Sequence, residues 1–97
     1  MARWKKTLAR MLTDTNPRNY SYDDAATILA NLGFAEAPNS GTSHRKWRAR
    51  LPDRTVVVAL VAGHGPLKPG YIRDMVATLR ECRLVPSDLE KPDAPMD

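Results

Sequence analysis

The stretch Gly41-Thr42-Ser43-His44-Arg45-Lys46-Trp47-Arg48-Ala49-Arg50 sets one imidazole among four cationic side chains with no acid between them. Arg and Lys meet the oxygens of a phosphodiester, Arg through a two-pronged fork and Lys as a point charge. An imidazole takes up or releases a proton near neutrality, so it can serve as acid or base at the same phosphate. Read with period two, the stretch puts His44, Lys46, Arg48 and Arg50 on one side of a strand and Trp47, Ala49 and Leu51 on the other. The apolar side can anchor to a core while the charged side meets a polyanion. Taken alone, the pattern also fits a structural strand histidine, or a phosphate contact that moves no proton.

The elements that must hold this strand follow from periodicity. Trp4, Leu8, Met11 and Leu12 recur at helical spacing and predict a helix from Arg3 to Thr13 with Arg3, Lys6 and Arg10 on another face. Residues 13–19, with Pro17, read as a connector. Ser21 and Asp24 form a capping-box pair that starts a second helix along Tyr22, Ala25, Leu29 and Leu32, with Gly33 as its stop. Phe34 to Ala37 suits a short strand, and the His44 strand runs on to about Leu51. Pro52-Asp53 sits where a tight turn would place it. Thr55 to Val61, a run rich in β-branched residues and apolar on both faces, predicts a strand with neighbours at both edges or cover on both faces. Gly63-His64-Gly65-Pro66-Leu67-Lys68-Pro69-Gly70 is a loop that leads into a last helix striped with Ile72, Met75, Val76, Leu79 and Cys82. The expected fold is α+β: a three-stranded antiparallel sheet with the helices on one face, the other face open, and an extra helix at the N-terminal end.

Charge narrows the partners. The chain has 97 residues and a net charge of +4, made of a basic body over residues 1–85 and an acidic stretch over 86–97. The expected organisation is an N-terminal helix and connector (1–19), a core domain (20–85) and a disordered acidic tail (86–97). A basic body points to a nucleic acid or an acidic protein. The single Cys82 excludes an internal disulfide framework and fits a reducing compartment. The longest apolar run, Val56 to Ala62, falls far short of the roughly twenty residues that cross a bilayer, so no membrane partner and a cytoplasmic location are expected.

Two fragments, Gly41-Thr42-Ser43-His44-Arg45-Lys46-Trp47 and Leu67-Lys68-Pro69-Gly70 leading into Tyr71-Ile72-Arg73, separated by a hairpin and preceded by a helix ending in Leu32-Gly33-Phe34, resemble the HicA family of bacterial toxins. The likeness covers roughly residues 20 to 84. It implies a fold like a double-stranded-RNA-binding domain, with an α-β-β-β-α core, acting as an endoribonuclease that cuts mRNA. It also implies a HicB-type antitoxin as partner. The family's catalytic histidine follows a Gly-Ser or Gly-Thr-Ser approach, which gives that role to His44. Many members carry a second histidine where this chain has Arg45, and an aromatic where it has Trp47.

RNA is cut without metal when its 2′-hydroxyl attacks the adjoining phosphorus. That requires a base for the hydroxyl proton, cations for the phosphorane and an acid for the 5′-oxygen. His44 is the candidate base. Lys46 and Arg48, and less favourably Arg45, are candidates to contact phosphate. Lys68, just ahead of the last helix and its positive end, and Arg73 one turn in, are expected to extend the same patch. Gly41 is expected to serve backbone geometry and Ser43 to orient His44. Trp47 is expected in the core rather than against a base, and His64 to be a turn residue more readily than the acid. No zinc cluster, Walker loop or dinucleotide fingerprint is present in the sequence, and no cofactor is implied. The alternatives are a non-catalytic RNA-binding module of the same fold and a protein-interaction domain for an acidic partner.

Overall fold

The structure, a computed structural model, describes residues 2–38 and 43–90. Its elements run α1 (Arg3–Thr13), α2 (Tyr22–Asn31), β1 (Ala35–Glu36), β2 (His44–Arg50), β3 (Thr55–Val61), α3 (Pro69–Glu81) and a single turn, α4 (Ser87–Glu90). The strands form one antiparallel sheet in the order β1-β2-β3. The chain is thus α+β with an open three-stranded sheet and an N-terminal helix, as periodicity predicts.

Local chemistry explains where the helices begin and end. The Ser21 hydroxyl accepts from the Asp24 amide at 3.1 Å, and the Asp24 carboxylate accepts from the Ser21 amide at 3.0 Å, so both free donors at the start of α2 are satisfied. α2 closes on Gly33, whose φ of +97° costs a glycine little, with Phe34 N–H donating to Leu29 O at 2.9 Å. α3 closes by the same geometry: Leu84 N–H donates to Leu79 O at 2.8 Å and Arg83 N–H to Arg80 O at 3.1 Å. Here, however, Arg83 takes the left-handed position, at φ +56°. That is a strained place for a residue with a Cβ.

The core is shared by every long element. Leu8 and Met11 of α1, Ala25, Ile28 and Leu29 of α2, Trp47 and Ala49 of β2, Val56, Val58 and Leu60 of β3, and Ile72, Met75, Val76 and Leu79 of α3 form one buried cluster. Leu8 is fully buried, so α1 belongs to the same packed unit as residues 20–85 rather than standing beside it. Trp47 Nε1 donates to Tyr22 Oη at 3.3 Å and ties the sheet to α2, while the Arg80 guanidinium donates to Leu12 O at 2.7 Å and ties α3 to the end of α1. Tyr20 donates to Asp14 at 3.0 Å from a buried position; burial, followed by the Asp14 carboxylate, pushes its hydroxyl above the usual phenol range.

One expectation is corrected. β3 is an edge strand with cover on one face only: Val56, Val58 and Leu60 are buried while Val57 on the other face is 47% exposed. The β-branched run reflects what a pleated backbone favours as much as what is buried. Within the acidic segment, α4 lies against the rest of the molecule through Leu89, which packs against the core, and Asp88, which pairs with Lys5 at 3.5 Å. The rest of the expected tail, 91–97, lies outside the described residues.

Candidate functional site

β2 and β3 are joined by Pro52-Asp53, and the closing pair is Leu51 with Arg54: Leu51 N–H donates to Arg54 O at 2.7 Å. Neither central residue has positive φ, as suits a turn with proline in its first central place. That turn fixes the register of the whole hairpin, and so sets His44 opposite Val61, Lys46 opposite Ala59, Arg48 opposite Val57 and Arg50 opposite Thr55. On the other side of β2, Ala35 lies opposite Arg48 and Ala37 N–H donates to Lys46 O at 2.8 Å.

The open face of the sheet is therefore a file of His44, Lys46, Arg48 and Arg50, all exposed, flanked on both sides by short uncharged residues. Alternate residues of a strand stand about 6.8 Å apart. No carboxylate stands in the file or at the sheet positions paired with it, so the sheet itself brings no acid between these side chains. This is the cationic face that the alternation predicts.

At its His44 end the file runs into an open cleft of about 330 Å³, lined by His44, Val61, His64, Lys68, Tyr71 and the backbone of the loop between β3 and α3. That loop is held at both ends. Ala62 N–H donates to Ser43 O at 2.8 Å, extending the β2–β3 ladder past His44, and Leu67 N–H donates to Tyr20 O at 2.8 Å, with Ser21 bridged to Pro66 beside it. Leu67 is buried and acts as the loop's plug. Between these anchors, Gly65 takes a φ of +82°, a turn that glycine enters easily.

The candidate residues fall into three places. His44, Lys46 and Arg48 share the open face, and His44 and Lys68 share the cleft. Ser43 is next to His44, and its carbonyl holds the ladder at that point. Arg45 and Arg73 are elsewhere. Arg45 points to the opposite side of β2, half-buried, with its guanidinium on Glu36 at 3.4 Å and its Nε buried without a partner, so strand alternation takes it out of the phosphate file. Arg73 lines a separate cleft between α3 and the end of α1, with Leu12, Pro17 and Arg80. Its position one turn beyond Lys68 turns it away from the His44 side. Gly41 lies outside the described residues.

Lys68 is the residue before the first turn of α3, and Pro69 follows it at the first helical position. Proline brings no N–H, and the Tyr71 N–H is used by Lys68 O at 3.0 Å, so the helix start has fewer free donors for a phosphate than most. Charge from Lys68 is what this end of α3 chiefly offers. Two further residues line the cleft: Tyr71, and His64, which the sequence assigns to a turn more readily than to the role of the acid. The signal for His64 is the hairpin register: with Leu51 and Arg54 paired, His44 must sit opposite Val61, and His64 comes three residues later.

Among the described residues no group of three His, Cys, Asp or Glu side chains is placed to hold a metal ion, and no helix is long and apolar enough to cross a membrane. Compared with protein-family models, curated proteins and solved structures, the chain matches none of them.

Proposed function

We propose that this protein is an endoribonuclease of the HicA kind, a toxin that cleaves mRNA through His44. The observation that carries the reading is the placement of His44: exposed, at the head of the cationic file formed with Lys46 and Arg48, and on the rim of the cleft that holds Lys68. A single RNA strand laid along the open face has its phosphates in reach of Lys46 and Arg48, with the phosphate at the His44 end entering the cleft near Lys68.

In that pose a ring nitrogen of His44 takes the proton of a ribose 2′-hydroxyl as the oxygen attacks phosphorus. The O2′–P bond forms, the charge on the non-bridging oxygens grows, and Lys46 and Lys68 stabilise it more in the crowded phosphorane than in the starting diester. The P–O5′ bond then breaks, leaving a 2′,3′-cyclic phosphate and a 5′-oxygen that must gain a proton. Recognition is expected to rest on backbone charge and 2′-hydroxyl geometry, because the file carries cations rather than groups matched to base edges. A HicB-type antitoxin with an acidic surface would silence the enzyme by covering the same file.

The test is RNA cleavage by the purified protein and by His44→Ala. Loss of a general base costs about 10² to 10⁴ in rate, so cleavage should nearly vanish while RNA binding at low salt persists. Because His44 is exposed, the variant should keep its folding stability. Binding without any cleavage by the unaltered chain would mark a non-catalytic RNA module. Absence of RNA binding at low salt would point instead to an acidic protein partner.

A further inference from the structure

Resting on the nuclease reading, the cleft supplies what His44 cannot, a donor for the departing 5′-oxygen. We propose that His64 is the general acid, so that the two imidazoles of this chain work as an acid–base pair across one phosphate. The chain has two histidines in all, 20 residues apart in sequence, and both line the same cleft. His64 reaches it because its loop is tied two residues earlier, at Ala62 to Ser43, and three residues later, at Leu67 to Tyr20. Neither tie involves the imidazole. The backbone on either side of it lies in the open: a Cβ built at Gly63 or Gly65 meets no non-neighbouring atom within 4 Å, and His64 itself is exposed.

Among the described residues the other polar side chains on the cleft are those of Lys68 and Tyr71, and no carboxylate lines it. An ammonium and a phenol give up a proton reluctantly near neutrality, whereas an imidazolium gives and regains one there. In the step itself, His44 takes the 2′-proton as O2′–P forms. The His64 imidazolium delivers its proton to O5′ as P–O5′ breaks. The products are a 2′,3′-cyclic phosphate and a 5′-hydroxyl, with His44 left protonated and His64 neutral. Exchange of one proton with water at each ring restores the pair. Lys68 remains on the non-bridging oxygens, where its charge is useful throughout.

The assignment is tested with two RNAs that differ at the bond the unaltered protein cuts, one with the ordinary 5′-oxygen and one with a bridging 5′-sulfur, which leaves as a thiolate and needs no proton. His64→Ala should cut the oxygen RNA about 10² or more times slower than the unaltered chain, yet cut the sulfur RNA within about threefold of it. His44→Ala should be slow on both. The pH–rate profile of the unaltered chain should pass through a maximum, and His64→Ala should lose its alkaline fall while keeping its acid one. His64→Gln, which keeps a polar side chain of similar reach, should behave as His64→Ala does if proton transfer is what matters. Equal slowing of both RNAs by His64→Ala, or no slowing of either, overturns the role of His64 while leaving the nuclease reading in place. Failure of the unaltered chain to cut either RNA overturns the nuclease reading and this assignment with it.

Discussion

Along β2, Trp47 and Ala49 enter the protein beside the half-buried Arg45, while His44, Lys46, Arg48 and Arg50 stay outside, although all seven residues belong to one uninterrupted strand. The inner set is fixed by packing: Trp47 is 9% exposed and bonded to Tyr22, and Ala49 is buried beside Val56. The outer set meets no such demand, and a run of like charges there must be tolerated rather than rewarded by the fold. Exposed cations set at strand spacing form a surface that would suit a polyanion. Under the proposed reading, stability and RNA chemistry lie on opposite faces of the same strand, and changes on each should separate cleanly.

The largest break comes from the inner face. Trp47→Ala removes a buried indole and its bond to Tyr22, and should cost about 3 to 5 kcal/mol of stability, read as a shift in the denaturant midpoint; a loss below about 1 kcal/mol would mean that the inner face does not hold the fold. Next is the outer face. Changing Lys46 and Arg48 together to Glu should leave the unfolding temperature nearly unmoved, yet weaken RNA binding about tenfold or more, measured in the His44→Ala background so that no RNA is cut. The slope of log K against log salt should flatten by about 0.7 for each phosphate of a single strand that the variant no longer neutralises. The smallest effect is expected where the strand breaks its own pattern. Arg45→Gln removes a cation from the inner side, where its partner is Glu36, so RNA affinity should be unchanged and stability should move by no more than about 1 kcal/mol. A fall in RNA affinity equal to that of the outer pair would show that the two faces are not distinct.

Much of this arrangement is legible in the sequence because it rests on short-range rules. The boundaries of α1 and β3, the Ser21–Asp24 box and the alternation of β2 all follow from spacing and cap chemistry. The position of Lys68 just ahead of the last helix suggests a place near His44, and the two do share the cleft. What cannot be read depends on contacts between distant segments. Val57 and Ala59 are as apolar in sequence as the buried residues around them, and only the packing of the helices on the opposite face leaves them exposed. Arg73 lies a single turn from Lys68, yet the rotation of α3 gives it to the α1 side. Arg83 closes a helix in a conformation that its side chain disfavours, and nothing around it in sequence announces that. α4 depends on one leucine and one lysine contributed from opposite ends of the described chain.

Ser21 has two attachments: its side chain begins α2, and it pairs with Pro66 in the loop that carries His64. Fraying of the first turn of that helix therefore releases the histidine loop in the same event, and the two segments should open as one cooperative unit rather than independently. Amide hydrogen exchange at Leu67 would then keep pace with exchange at Asp24 and Ala25, and warming that loosens this one corner would free the His64 loop before the core melts.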